Sequence, residues 1–168
     1  MNGSGKVSVS DVKAVCDEAS ICIIPSGLEL EIDDNLNVAA LIVRGSVKWN
    51  DTKAPTDGFV CSGYVAIEDN GSWNMNLSSK SGWIFIKDNG AYHPKLRTRA
   101  FGSTSSSSSF LPSVNIEGKK MERTWSLLSK PLSIGDIEMK LLHNPNMMGW
   151  KVGDRIGTLT EFRPSFVR

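Results

Sequence analysis

Gly63-Tyr-Val-Ala-Ile-Glu-Asp-Asn-Gly-Ser-Trp73 and, nineteen residues on, Gly82-Trp-Ile-Phe-Ile-Lys-Asp-Asn-Gly-Ala-Tyr92 are two copies of one unit: a glycine, an alternating strand, then an Asp-Asn-Gly turn. Gly27 and Gly45 extend the same spacing toward the N-terminus. A repeat of about twenty residues, with one short strand and one fixed turn per copy, is the pattern of a solenoid whose coils pair edge to edge about 4.8 Å apart. The period predicts an all-β fold, a right-handed, mostly parallel β-helix of about five to seven coils.

Alternation then sorts the side chains. Leu30 and Ile32, Val47 and Trp49, Val65 and Ile67, and Ile84 and Ile86 share one phase, expected to point inward. Each pair is followed two residues later by an aspartate: Asp34, Asp51, Asp69 and Asp88. Burying each aliphatic contributes roughly 1.5–3 kcal/mol, so the pairs form the expected core. Tyr64, Ala66 and Glu68, and Trp83, Phe85 and Lys87, take the outward phase.

The period also sets the domain plan. Residues 1–20 read as an N-terminal cap segment, with a short helix or capping strand over Val7–Glu18 that covers the first open coil. Residues 21–162 form the β-helical domain, and 163–168 a C-terminal tail. After Tyr92 the period breaks into a loop excursion at 92–118, where Ser103–Ser109 is a low-complexity run. Strand patterns resume at Ser113–Ile116, Arg123–Ser129 and Ile137–Leu142.

Composition narrows the function classes. With 19 basic and 18 acidic residues in 168, the net charge of +1 gives no field that would gather nucleic acid. No apolar run approaches a membrane span, and Met1-Asn-Gly-Ser-Gly-Lys6 lacks the apolar core of a signal peptide. Cys16 and Cys22 can bridge a short N-terminal loop and leave Cys61 free; three buried thiols is the alternative. Asn-x-Ser/Thr sequons stand at Asn2, Asn50, Asn70 and Asn76, the last three in turns of the coils, which suits a secreted or cell-surface protein.

Leu41-Ile-Val-Arg-Gly-Ser-Val-Lys-Trp49, the glycine ladder, Arg123-Thr-Trp-Ser-Leu-Leu128 and above all Gly149-Trp-Lys-Val-Gly-Asp-Arg-Ile156 resemble one family. It is the eight-glycine domain of the cell-migration-inducing hyaluronidases and the fibrocystins, matched from about Ile21 to Thr160. The resemblance implies a β-helical extracellular module, often leading into a longer parallel β-helix that carries a hydrolase site. That downstream part is not in this chain, so hyaluronidase activity is not carried over with the likeness.

Three constellations are candidates for chemistry. The stacked aspartates Asp51, Asp69 and Asp88 would repel unless a cation such as Ca²⁺ sat among them; the plainer reading is that each caps its own turn, with no cofactor. The outward aromatics Tyr64, Trp73, Trp83, Phe85 and Tyr92 offer flat faces to sugar rings, unless a neighbouring segment covers them. The basic excursion carries His93, Lys95, Arg97 and Arg99, with Lys119, Lys120 and Arg123 beyond. Arg97 and Arg99 would share one face of an extended strand and clamp carboxylates bidentately.

The expected contact surface is thus Tyr64, Trp83, Phe85, Lys87, His93, Arg97 and Arg99. The sequence reads as a non-catalytic extracellular recognition or structural module, partnered by glycan, by protein, or by its own copies through solenoid edges. The rival is an enzyme cleaving an acidic glycan such as hyaluronan, with His93, Arg97 and Arg99 beside an aspartate.

Overall fold

The alternating stretches do form short parallel strands, wound through three sheets. The computed structural model describes residues 5–118 and 120–158. The Asn2 sequon, Lys119, the 163–168 tail and the end of the expected 21–162 domain lie outside them. The chain divides into two units, Met1–Lys120 and Met121–Arg168, so the boundary falls inside that expected domain.

The first unit runs β1 (Gly5–Ser8), α1 (Val9–Lys13), β2 (Ile21–Ile24), β3 (Leu28–Ile32), β4 (Leu36–Asn37), β5 (Ala40–Val43) and β6 (Ser46–Trp49). It continues with β7 (Asp57–Ser62), β8 (Tyr64–Glu68), β9 (Ser72–Asn76), β10 (Ser81–Ile86), β11 (Ala100–Thr104) and β12 (Ser113–Glu117). The first sheet has order β1-β3-β6-β9-β12, the second β11-β8-β5-β2 and the third β10-β7-β4. Among the described residues every strand pair is parallel. From β3 to β12 the chain visits the first, third and second sheets in unchanging order.

This order alters the meaning of the repeat. The Gly63 copy is β8, in the second sheet, and the Gly82 copy is β10, in the third, so the two do not pair. The turn after each strand redirects the chain onto another sheet, and adjacent copies therefore lie on different sides. True register partners along the first sheet are Glu29 with Ser46, Ser46 with Ser72, and Ser72 with Ser113. From β3 to β12 the stretch of chain between register partners on the first sheet lengthens at each step.

The inward assignments hold for Leu30, Ile32, Val47, Trp49, Val65 and Ile67, all buried in one cluster, with Ile84 and Ile86 packed against it. Trp73 differs from expectation. It lies in the core, opposite Val47 in register and edge-on to Phe101 at 5.3 Å, because β9 begins a fresh alternation at Ser72.

Glycine is required where circuits touch. A Cβ on Gly45 would stand 2.2 Å from the Leu28 carbonyl oxygen and 2.4 Å from that of Pro25. At Gly63 it would stand 2.8 Å from the Ala39 carbonyl oxygen, to which the Gly63 N–H itself donates at 2.8 Å.

In the N-terminal segment β1 pairs with β3 at the end of the first sheet, and α1 follows it directly. Ser8 and Asp11 form a reciprocal capping box, so α1 starts sharply and buries Val9 and Val12. Val9 N–H donates to Asp33 Oδ1 at 3.0 Å and Lys13 Nζ to Asp34 Oδ2 at 2.7 Å. A Cys16–Cys22 disulfide ties the segment to β2 and leaves Cys61 free.

The 92–118 excursion is more ordered than its sequence suggests. It contains β11, which includes Ser103 and Thr104, and β12, paired in register with β8 and β9. Phe101 anchors β11 on Trp73, which lets a Gly/Ser/Thr-rich stretch join a sheet.

In the second unit the strands expected at Arg123–Ser129 and Ile137–Leu142 reduce to one antiparallel bridge, Leu128 to Leu141. Ser129 N–H to Lys140 O and Leu142 N–H to Leu127 O, both 2.8 Å, flank it. Ile134, Ile137 and Leu142 are exposed, so these stretches lack the buried face that extends a strand. Helix α2 (Pro145–Met148) is capped by Asn144 and closed by Gly149 at φ 84°.

Candidate functional site

The outer face of the third sheet gathers what the sequence put on its aromatic surface. Trp83 and Phe85, two residues apart on β10, are 53% and 47% exposed. Their rings lie 6.1 Å apart and within 10° of parallel. Phe59 on β7 pairs with Trp83 in register and meets Phe85 edge-on at 5.9 Å. Lys87 Nζ donates to Asn37 Oδ1 at 2.6 Å, and the half-buried Cys61 lies beside Phe85 in register. The result is an apolar aromatic strip with an amide and an ammonium at one end. Phe59, Asn37 and Cys61 were not among the expected contacts, although the alternation of Asp57-Gly-Phe-Val-Cys-Ser62 carries the signal.

Tyr64 does not join this face. It points outward from the second sheet but is 2% exposed, because the loop between β10 and β11 folds over it. Ala40, Tyr64 and Ala66 form a second small core, closed by Ile42, Ala91, Leu96 and Ala100. Burial and the nearby Glu68 charge push the Tyr64 phenol above its ordinary range.

His93 is the lock of that loop. It is 3% exposed and 5.3 Å from the Tyr64 ring. Its Nδ1 accepts from Lys95 N–H at 3.2 Å and Leu96 N–H at 3.0 Å. The ring proton therefore sits on Nε2 and is donated to Glu68 Oε1 at 3.0 Å, while Glu68 Oε2 accepts from Arg44 Nε at 2.8 Å. Burial raises the Glu68 carboxyl, but its bonds to Arg44 and His93 outweigh burial and hold it below its usual range. With both nitrogens engaged, His93 has no lone pair for general-base work.

Arg97 and Arg99 do not share a strand face. Both adopt left-handed backbone, Arg97 at φ 71° where the His93–Arg97 bridge closes its turn and Arg99 at φ 53° just before β11. Arg97 lies over the Tyr92 ring at 5.7 Å and bonds its hydroxyl; Arg99 pairs with Asp88 at 3.5 Å. The seven expected contact residues thus separate into an exposed aromatic pair (Trp83, Phe85) with the half-buried Lys87 beside it, a buried pair (Tyr64, His93) and two loop arginines.

The aspartates are also distributed. Asp51 accepts from Ser78, Ser79 and Lys80, and the Ser78 hydroxyl at 2.6 Å leads in drawing its carboxyl down to about 2. Asp69 accepts from Ser106 N–H at 2.9 Å. Each pins a loop of a later circuit, not its own turn. Among the described residues no three His, Cys, Asp or Glu side chains converge as a metal site.

Of the sequons, Asn70 and Asn76 are exposed, but Asn76 ends strand β9 instead of lying in a turn, and its Nδ2 donates to Glu117 Oε2 at 3.2 Å. Asn50 is engaged, its Nδ2 on Glu31 at 2.6 Å and its Oδ1 capping Thr52 and Lys53.

Within the second unit a groove of about 810 Å³ is lined chiefly by Trp125, Leu127, Leu128, Met139, Leu141 and Trp150. Ser126 Oγ lies 3.0 Å from His143 Nδ1, and Arg123 lies 3.1 Å from Nε2. Arginine only donates, so Nε2 accepts and Nδ1 carries the proton toward Ser126; the serine is not activated as a nucleophile. Comparison of the chain with protein-family models, curated proteins and solved structures gave no match.

Proposed function

We propose that this chain is a non-catalytic extracellular recognition module, a right-handed parallel β-helix of the eight-glycine type, that binds glycan on the outer face of β10, β7 and β4. The observation that carries the reading is the exposed, near-parallel Trp83–Phe85 pair backed by Phe59. Aromatic faces offer large rigid apolar area, and such side chains exposed together on a sheet favour a partner with matching flat apolar faces, such as the C–H faces of a sugar. Asn37 and Lys87 at the end of the strip supply polar contacts to hydroxyl or carboxylate groups.

The constant order in which the chain visits three parallel sheets supports the β-helix, and the capped first circuit supports a defined end to it. The Cys16–Cys22 disulfide and the exposed Asn70 and Asn76 are compatible with an oxidising, glycosylating compartment. The cleaving-enzyme reading draws no support from His93, whose nitrogens are both occupied. A glycan array probed with the full chain and with Phe85→Ala tests the proposal: array signals that depend on Phe85 are expected, and an array without signal ends it.

A further inference from the structure

We infer that His93 is an acid-released latch on the loop covering the second sheet. The buried ring has one place left for a second proton, Nδ1, and that atom accepts the N–H groups of Lys95 and Leu96. A protonated Nδ1 is a donor facing two donors, so charging the ring and keeping the turn are mutually exclusive. The Nε2 side is unaffected, since Nε2–H already donates to Glu68.

The surroundings decide which side gives way. From β8, Glu68 and the Tyr64 phenol face the ring; from the corner after β5, Arg44 shares Glu68. On the loop itself Lys95 turns its ammonium to the Ser105 carbonyl and Arg97 lies on Tyr92. Asp69, next to Glu68, is tied to Ser106. Among the described residues Glu68 is thus the one anion bonded to the ring, and it holds it from the sheet. On acidification the ring stays with β8 and the 93–97 turn lets go. Two features make the turn the weaker partner: left-handed backbone at Arg97 and closure by a single antiparallel bridge. Release uncovers Tyr64 and Ala66.

Imidazoles as a class are the side chains that change charge between neutral and mildly acidic conditions, so that is the window in which the latch is tested. Backbone hydrogen exchange of the full chain near neutrality and near pH 5, each rate corrected for intrinsic exchange, reads it directly. Protection of the Lys95 and Leu96 amides falls by up to about tenfold per pH unit once the ring titrates, while Val65 and Ile67 in β8 keep theirs. His93→Asn, whose Oδ1 can accept the same two N–H groups without titrating, holds the loop closed at both pH values. Equal wild-type protection at both, or a pH-dependent loss in His93→Asn matching wild type, overturns the latch. If that variant is open even at neutral pH, the ring nitrogen shifts decide: Nδ1 protonation and amide release share one midpoint, and separate midpoints refute the coupling.

Discussion

β8 and β10 begin from nearly the same sequence and end in opposite environments. Gly63-Tyr-Val-Ala-Ile67 has its outward aromatic sealed under a loop; Gly82-Trp-Ile-Phe-Ile86 leaves two aromatics in solvent. Both strands alternate as their residues dictate, and both bury or half-bury their inward aliphatics. The difference arises outside the strands. The long connection from β10 to β11 passes over the second sheet, held there by His93, Leu96 and Ala91, and leaves the outer face of the third open. Local sequence decides which way a side chain points; the path of the connecting chain decides whether it is covered.

Matched substitutions break this comparison if it is wrong. Tyr64→Ala should remove about 3 kcal/mol of stability or more, because it empties a packed space under the loop. Trp83→Ala should cost well under that, since half of its surface is already wet. Chemical denaturation of both variants gives the contrast, and similar losses would mean that the third-sheet face is covered too.

Gly63→Ala and Gly82→Ala sharpen the same pair. The new methyl at 63 meets the Ala39 backbone carbonyl and the Asn89 side chain, whereas at 82 it meets the flexible ends of Met75 and Leu77. Overpacking of this kind costs about 1–3 kcal/mol, with position 63 at the upper end because a backbone carbonyl cannot step aside. Thermal midpoints that fall further for position 82 would reverse the assignment of the rigid corner.

The smallest effect concerns the loop leading into β10, which Asp51 pins. Its carboxyl titrates at about 2 when folded against an ordinary 3.8, so its contribution is full above the ordinary value and lost as pH falls toward 2. The thermal-midpoint gap between wild type and Asp51→Asn should therefore close over that window. A gap unchanged by acid would show that another group holds residues 78–80.

Much of the fold was legible because strand alternation and corner glycines are local. Leu30, Val47 and Val65 could be assigned inward from period two alone, and Gly45 and Gly63 from their spacing. Pairing partners were not legible. Which strand lies beside β8 depends on corner lengths that vary from circuit to circuit, so a constant period suggested a stack that the register of Ser46 with Ser72 replaces. Of the site, Trp83, Phe85 and Lys87 followed from alternation. Tyr64 and His93 did not, because a loop's destination is set by long-range contacts such as His93 to Glu68, and the left-handed backbone at Arg97 and Arg99 is not encoded by glycine.

The central claim is that the open aromatic pair on β10 is a binding surface and not exposed core. Calorimetric titration of an array-selected oligosaccharide into wild type and Trp83→Ala, with thermal unfolding of the same samples, tests it most directly. The account predicts at least about a tenfold loss of affinity with the unfolding midpoint nearly unchanged, as expected for a contact that concentrates binding energy. Unaltered affinity, or a loss of affinity that merely tracks a collapse in stability, would contradict it.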